Sequence, residues 1–154
     1  GGLVAGESVP LTAYFSSHPG WAEQEPEVFW DALCKACRRV LDNPGVSIDR
    51  IAGMALTTQR STVINLDRGG KPLRPAIVWL DQRKTYGLPP LGGLWGSVFR
   101  LLGLSGTIRY FQNEAEANWI CTHQPDVWKN TFKYLLLLVR GNANSGILHI
   151  KTDK

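Results

Sequence analysis

Ile51-Ala52-Gly53-Met54-Ala55-Leu56-Thr57-Thr58-Gln59-Arg60-Ser61-Thr62 sets an apolar run directly against six polar residues, and Pro75-Ala76-Ile77-Val78-Trp79-Leu80-Asp81-Gln82-Arg83 repeats the design. The apolar halves read as buried strands, because a strand covered on both faces shows a continuous rather than alternating apolar run. Each strand then ends in residues that carry donors and acceptors. Open sheets of α/β proteins bind ligands off such strand ends. An amide (Gln59), a guanidinium (Arg60) and a carboxylate (Asp81) beside the Trp79 indole are what a polyol requires. Each hydroxyl needs a donor and an acceptor, and the C–H face of the ring or chain packs on an aromatic surface. The plainer reading of the same residues is a loop salt bridge from Asp81 to Arg60 or Arg83, with Trp79 in the core.

Working outward, Thr62-Val63-Ile64-Asn65-Leu66 is a further strand. Asp67-Arg68-Gly69-Gly70-Lys71 is a hairpin turn whose glycines can take positive φ, leading back into the strand Pro75–Leu80. On the N-terminal side, Val28, Phe29, Ala32, Leu33, Ala36, Cys37, Val40 and Leu41 recur every three or four residues and predict one amphipathic helix. Pro26 with acidic neighbours marks its start and Asn43-Pro44-Gly45 its end. The stretch Ser8–Phe15 is β-leaning. Beyond the strands, helices are expected over 94–102, 113–123 and 126–139, with Gln124-Pro125 separating the last two. Residues 141–146 form a polar linker, and Ile147–Ile150 gives at most one short strand. The order strand, helix, strands, helices defines an α/β class.

The bulk properties set limits. With 154 residues, 44% of them hydrophobic, the chain supports one domain with a core. The net charge of +4 is scattered and forms no arm or stripe, which argues against nucleic acid. Cys34 and Cys37 fall inside the helical pattern without a second pair at metal spacing, so they read as small apolar residues rather than a zinc or redox site. An odd cysteine count without a leader sequence fits a reducing compartment, and cytoplasm is the expected location. The run Tyr134–Val139 is far shorter than the roughly 20 residues of a membrane span. No phosphate-binding loop, nucleophile elbow or zinc-protease motif occurs.

Three segments together resemble one family. His18-Pro19-Gly20-Trp21-Ala22-Glu23-Gln24-Glu25-Pro26-Glu27, then Ile51–Gly53 running into Thr57–Thr62, then Pro75–Arg83, are similar in order and spacing to the N-terminal domain of FGGY-type carbohydrate kinases, a family that includes glycerol kinase, xylulokinase and ribulokinase. The resemblance extends more loosely through Tyr110-Phe111, Trp119 and Pro125-Asp126-Val127-Trp128 to Leu136. It implies an actin-like ATPase, ribonuclease-H-like α/β domain, a mixed sheet flanked by helices and truncated at both ends. Residues 1–139 would be a partial sugar-binding domain and 140–154 a divergent tail. The implied activity is transfer of the ATP γ-phosphoryl group to a hydroxyl of a sugar or polyol.

On that resemblance the expected substrate contacts are Arg60, Ser61, Trp79, Asp81 and Tyr110, with Phe111 competing for the tyrosine position. In glycerol kinase the arginine is followed by glutamate; here Ser61 stands in that place, which favours a polyol or ketose other than glycerol. ATP and Mg2+ are implied by the family, but the Asp-x-Gly-Thr/Ser hairpin and the catalytic aspartate that serve them have no match in this chain. The fragment is therefore expected to be inactive alone, since phosphoryl transfer rests on positioning and charge neutralisation by those groups. A sugar or polyol is the expected partner, neither nucleic acid nor membrane is, and an exposed sheet edge invites self-association. The alternative is a non-catalytic binding or scaffolding module of the same fold.

Overall fold

In the computed structural model, residues 2–53, 55 and 61–137 and the backbone of 145–150 are described. Helix α1 (Pro26–Leu41) forms where the apolar stripe demands it. Pro26 supplies the fixed φ of a first turn, Glu27 lies in that turn, and Arg38 and Arg39 lie in the last, all favourable to the helix dipole. Phe29, Ala32, Ala36 and Val40 are its buried positions, while Cys34 and Cys37 are only half-buried on its flank.

Strands β2 (Glu23–Gln24), β3 (Val63–Leu66), β4 (Ala76–Ile77) and β5 (Lys133–Leu136) form one sheet in the order β2-β4-β3-β5, with every pairing antiparallel. Alternation along these strands divides the core into two faces. Ile64, Ala76 and Val78 pack with Ala22 and with Phe29 of α1. Val63 and Ile77 point the other way, onto Trp119 and Ile120 of helix α4 (Glu116–His123). The sheet is thus sandwiched between α1 and α4. Beside it, β1 (Ala5–Pro10) pairs antiparallel with β6 (Ser145–Ile150), and Val9 of β1 packs on Ala32 and Ala36.

The turn between β3 and β4 is the one expected. Asp67 N–H donates to the Lys71 carbonyl at 3.0 Å, the Asp67 Oδ1 accepts from Lys71 N–H at 2.9 Å, and Gly70 sits at φ +80°, where a side chain would be strained.

Four expectations need correction. The strand expected over 51–57 is not seen in its described part: residues 51–53 and 55 lie in no strand, and Ala52, Gly53 and Ala55 are exposed. The strand expected over 75–80 is laddered only at Ala76–Ile77, because the backbone turns at once, with Asp81 N–H donating to the Val78 carbonyl at 2.9 Å. The helix expected over 126–139 stops at Asn130. Helix α5 (Pro125–Asn130) gives way to β5, whose Leu135 and Tyr134 pair with Ile64 and Asn65. A short leucine-rich run suits helix or strand equally, and pairing with a preformed strand decides the outcome. Finally, helices α2 (Gly93–Leu101) and α3 (Ser105–Glu114) are followed by a break at Ala115, so the single helix expected over 113–123 is divided between α3 and α4.

Candidate functional site

The break at Ala115 brings the end of α3 and the start of α4 opposite the loop that follows β4. Between them lies a cleft of about 340 Å3 lined by Ser61, Trp79, Asp81, Arg83, Phe111, Glu114, Ala115 and Glu116. That is the lower range of small-molecule sites, which run from about 300 to 1,000 Å3.

Its floor is a buried charge network. Arg83 is nearly inaccessible (side chain 2% exposed) and packs against two indoles that meet edge to face, its guanidinium carbon 4.0 Å from the Trp21 ring centre and 4.6 Å from that of Trp119. Such packing over aromatic faces stabilises a desolvated guanidinium. Asp81 supplies the counter-charge. Its Oδ1 accepts from Arg83 Nε at 2.7 Å and Arg83 N–H at 3.0 Å, and its Oδ2 accepts from Arg83 Nη2 at 2.6 Å and Ala22 N–H at 2.7 Å. Glu23 joins from β2, accepting from Arg83 Nη2 at 3.1 Å and from Arg74. Burial pushes the Arg74 guanidinium below its ordinary pKa, while Glu23 pulls it back up. With two guanidiniums and two carboxylates in reach of one another, the charges balance where water cannot screen them.

The rim is different in character. Trp79 is 47% exposed, so it is a wall of the cleft and not part of the core. Ser61 is exposed and holds φ at +53°, a left-handed conformation that costs a non-glycine residue about 1–2 kcal/mol. Sites of stored backbone strain concentrate where ligands are held. Across the cleft, Glu114 Oε1 lies 2.5 Å from Lys84 Nζ. Glu116 opens α4, and burial raises its carboxyl above the ordinary value, as do, to a lesser degree, the negative charges of Asp81 and Glu114.

Of the expected contacts, Ser61, Trp79 and Asp81 thus line one cleft. Arg60, with Thr57, Thr58 and Gln59, lies outside the described residues. Tyr110 is exposed and meets Phe111 edge to face at 5.7 Å, but Phe111 is the one that lines the cleft. Sequence reasoning overlooked Glu114 and Glu116, and held Phe111 only as the alternative to Tyr110. The two acids were hidden inside what read as one continuous helix, and only the break at Ala115 turns them toward Trp79.

Among the described residues no three His, Cys, Asp or Glu side chains converge as a metal site. Asp81 and Glu114 are already occupied by Arg83 and Lys84. Among the described residues, this donor set does not fit Mg2+.

Comparison with known proteins first settles the class. The fold matches that of a xylulose kinase from Rhodospirillum rubrum, with a TM-score of 0.62 and 26% identity over 85% of this chain and 27% of that one. A structure described as a xyloylose kinase from Brucella ovis shares the fold at a TM-score of 0.60 and 23% identity, covering 82% of this chain and 25% of that one. This is the actin-like α/β class of sugar kinases. The family described as "FGGY family of carbohydrate kinases, N-terminal domain" matches residues 1–138, and the chain belongs to it. Glycerol kinase from Thermococcus gammatolerans is 34% identical over 109 residues, 70% of this chain and 22% of that protein. Glycerol kinase from Rippkaea orientalis is 39% identical over 83 residues, 53% of this chain and 17% of that protein. The chain therefore spans about a fifth of the length of these curated relatives.

Proposed function

We propose that this chain is the sugar- or polyol-holding part of an ATP-dependent carbohydrate kinase, and that the cleft between Trp79 and Glu116 receives the hydroxyl-bearing acceptor. The observation that carries the reading is the exposed indole of Trp79 facing carboxylates across a cleft floored by a guanidinium. An indole face packs against C–H groups, while the polar wall accepts and donates to hydroxyls. Ser61 stands on the rim, Arg60 is proposed as a further substrate contact, and Asp81 acts by fixing Arg83 and the loop on which Trp79 stands. Phe111 takes the place expected of Tyr110, and Ser61 after Arg60 favours a polyol or ketose other than glycerol. ATP and Mg2+ would be bound by parts of the relatives that this chain does not match, so the chain alone binds acceptor without transferring phosphate. The cytoplasm, where ATP is plentiful, is the compartment this activity suits. Self-association is proposed along β5, the sheet edge that exposes Leu135 and Leu136.

Titration calorimetry with a panel of polyols and ketoses, beside an ATP-consumption assay, tests the reading. Saturable binding of at least one compound at millimolar concentration without turnover is expected. Failure of every compound, both with this chain and with a longer chain that carries it, would sink the proposal.

A further inference from the structure

Three carboxylates face the cleft, and their partners differ. Asp81 has four donors on its two oxygens: the Arg83 main-chain N–H, Nε and Nη2, and the Ala22 N–H. A carboxylate offers about four lone-pair sites, so Asp81 has none left for a ligand. Glu114 is held by Lys84. Glu116 has no Lys or Arg ion-pair partner among the described residues, and a hydrogen bond from its own main chain is the contact that favours its charged form. It is a half-buried carboxylate kept without a counter-ion, and burial of such a group is unfavourable unless something else satisfies it. In the floor beneath, Nη1 of Arg83, whose side chain is 2% exposed, is buried without a hydrogen-bond partner among the described residues. A carboxylate with spare acceptors on the wall of a cleft is the complement of a hydroxyl group, which donates one hydrogen bond.

We propose that Glu116 is the specificity-determining carboxylate of this cleft, accepting a hydrogen bond from one hydroxyl of the sugar or polyol whose C–H face lies on Trp79. This rests on the kinase reading above and narrows it: the substrate must present a hydroxyl to the α4 wall while its apolar face meets the indole. Asp81, although nearer in sequence to Trp79, stabilises the floor and does not choose the ligand.

The test is titration calorimetry on wild type, Glu116→Gln and Glu114→Gln, using the tightest-binding compound of the polyol and ketose panel and its singly deoxygenated analogues. Glutamine keeps the size and removes the charge, and thermal unfolding verifies that each variant is folded. Glu116→Gln is expected to weaken binding at least tenfold, the usual scale for a hydrogen bond to a charged group. One deoxy analogue should bind wild type and Glu116→Gln equally, because the hydroxyl that Glu116 reads is gone. A purely structural role would weaken all analogues alike and would overturn the proposal. So would wild-type binding that survives Glu116→Gln unchanged, or that is lost in Glu114→Gln instead; both outcomes leave the kinase reading standing. Binding of no compound, by wild type or by a longer chain that carries it, overturns the inference and the proposed acceptor site together.

Discussion

Replacing Asp81 by asparagine keeps the shape of the side chain and removes its charge and half its acceptors. Four donors converge on the native carboxylate at 2.6–3.0 Å. An asparagine presents one oxygen, so its amide nitrogen must face two of those donors whichever way it is turned. Two hydrogen bonds are lost, at least one of them from the Arg83 guanidinium. Both lost bonds run to a charged carboxylate, and each contributes about 1.5–3 kcal/mol. The sum, about 3–6 kcal/mol, brackets the cost of about 3–5 kcal/mol for removing one partner from a buried ion pair. Glu23, 3.1 Å from Arg83 Nη2, still offers the guanidinium a counter-charge and moves the expectation to the lower end, about 3 kcal/mol. Urea unfolding followed by tryptophan fluorescence is the suitable assay, since Arg83 packs against both Trp21 and Trp119 and loss of its anchor changes the indole environment. The midpoint should fall with the slope unchanged. A loss below about 1 kcal/mol would mean that the pair behaves as a solvated surface bridge, and the reasoning about a buried floor would be refuted.

Gly96 of α2 offers a steric test: a Cβ there would lie 1.8 Å from the Leu91 carbonyl oxygen, so Gly96→Ala should cost at least the 1–3 kcal/mol typical of overpacking, read as a lower urea midpoint. Glu116 offers a pH test. Its folded pKa stands above the ordinary 4.5, so its contribution to stability is complete below that value and is lost as pH rises through the folded pKa. Unfolding free energies of wild type and Glu116→Gln should therefore converge in acid, with the variant gaining on wild type as pH rises from about 4.5 toward neutrality; parallel curves would contradict the shift. Among the thiols, exposed Cys121 should react first with iodoacetamide and Cys37 more slowly, because burial, with Cys34 nearby, raises its pKa; equal rates as judged by peptide mass would count against this.

Helix α1 could be read from sequence because its signals agree: proline and acid at the start, an eight-position apolar stripe, and Asn43-Pro44-Gly45 at the end. The β3 turn was equally clear, since Asp67 and Gly70 each do locally what the turn requires. The 75–80 strand was overestimated because the chain turns after Val78, with the Asp81 side chain drawn to the main chain of distant Ala22. Likewise Tyr134–Leu137 could not be assigned without knowing that β3 has an open edge. At the site, Trp79 and Asp81 were found from their strand-end position, and even the alternative Asp81–Arg83 salt bridge was foreseen. What the sequence could not reveal is that this bridge uses up Asp81, because the donors on it include Ala22, fifty-nine residues away. Glu116 escaped notice because an acid in a helix is ordinarily solvated, and its facing Trp79 depends on the break at Ala115.

The central claim is that the cleft beside Trp79 holds a sugar or polyol. The six tryptophans give separate indole N–H signals in a 15N–1H spectrum, with Trp79→Phe to assign the relevant one. Titrated with the polyol or ketose that binds, the Trp79 signal should move saturably. Those of Trp30 and Trp95, which are more exposed still but lie outside the cleft, should stay in place. Movement of Trp30 or Trp95 with Trp79 unchanged would contradict the account.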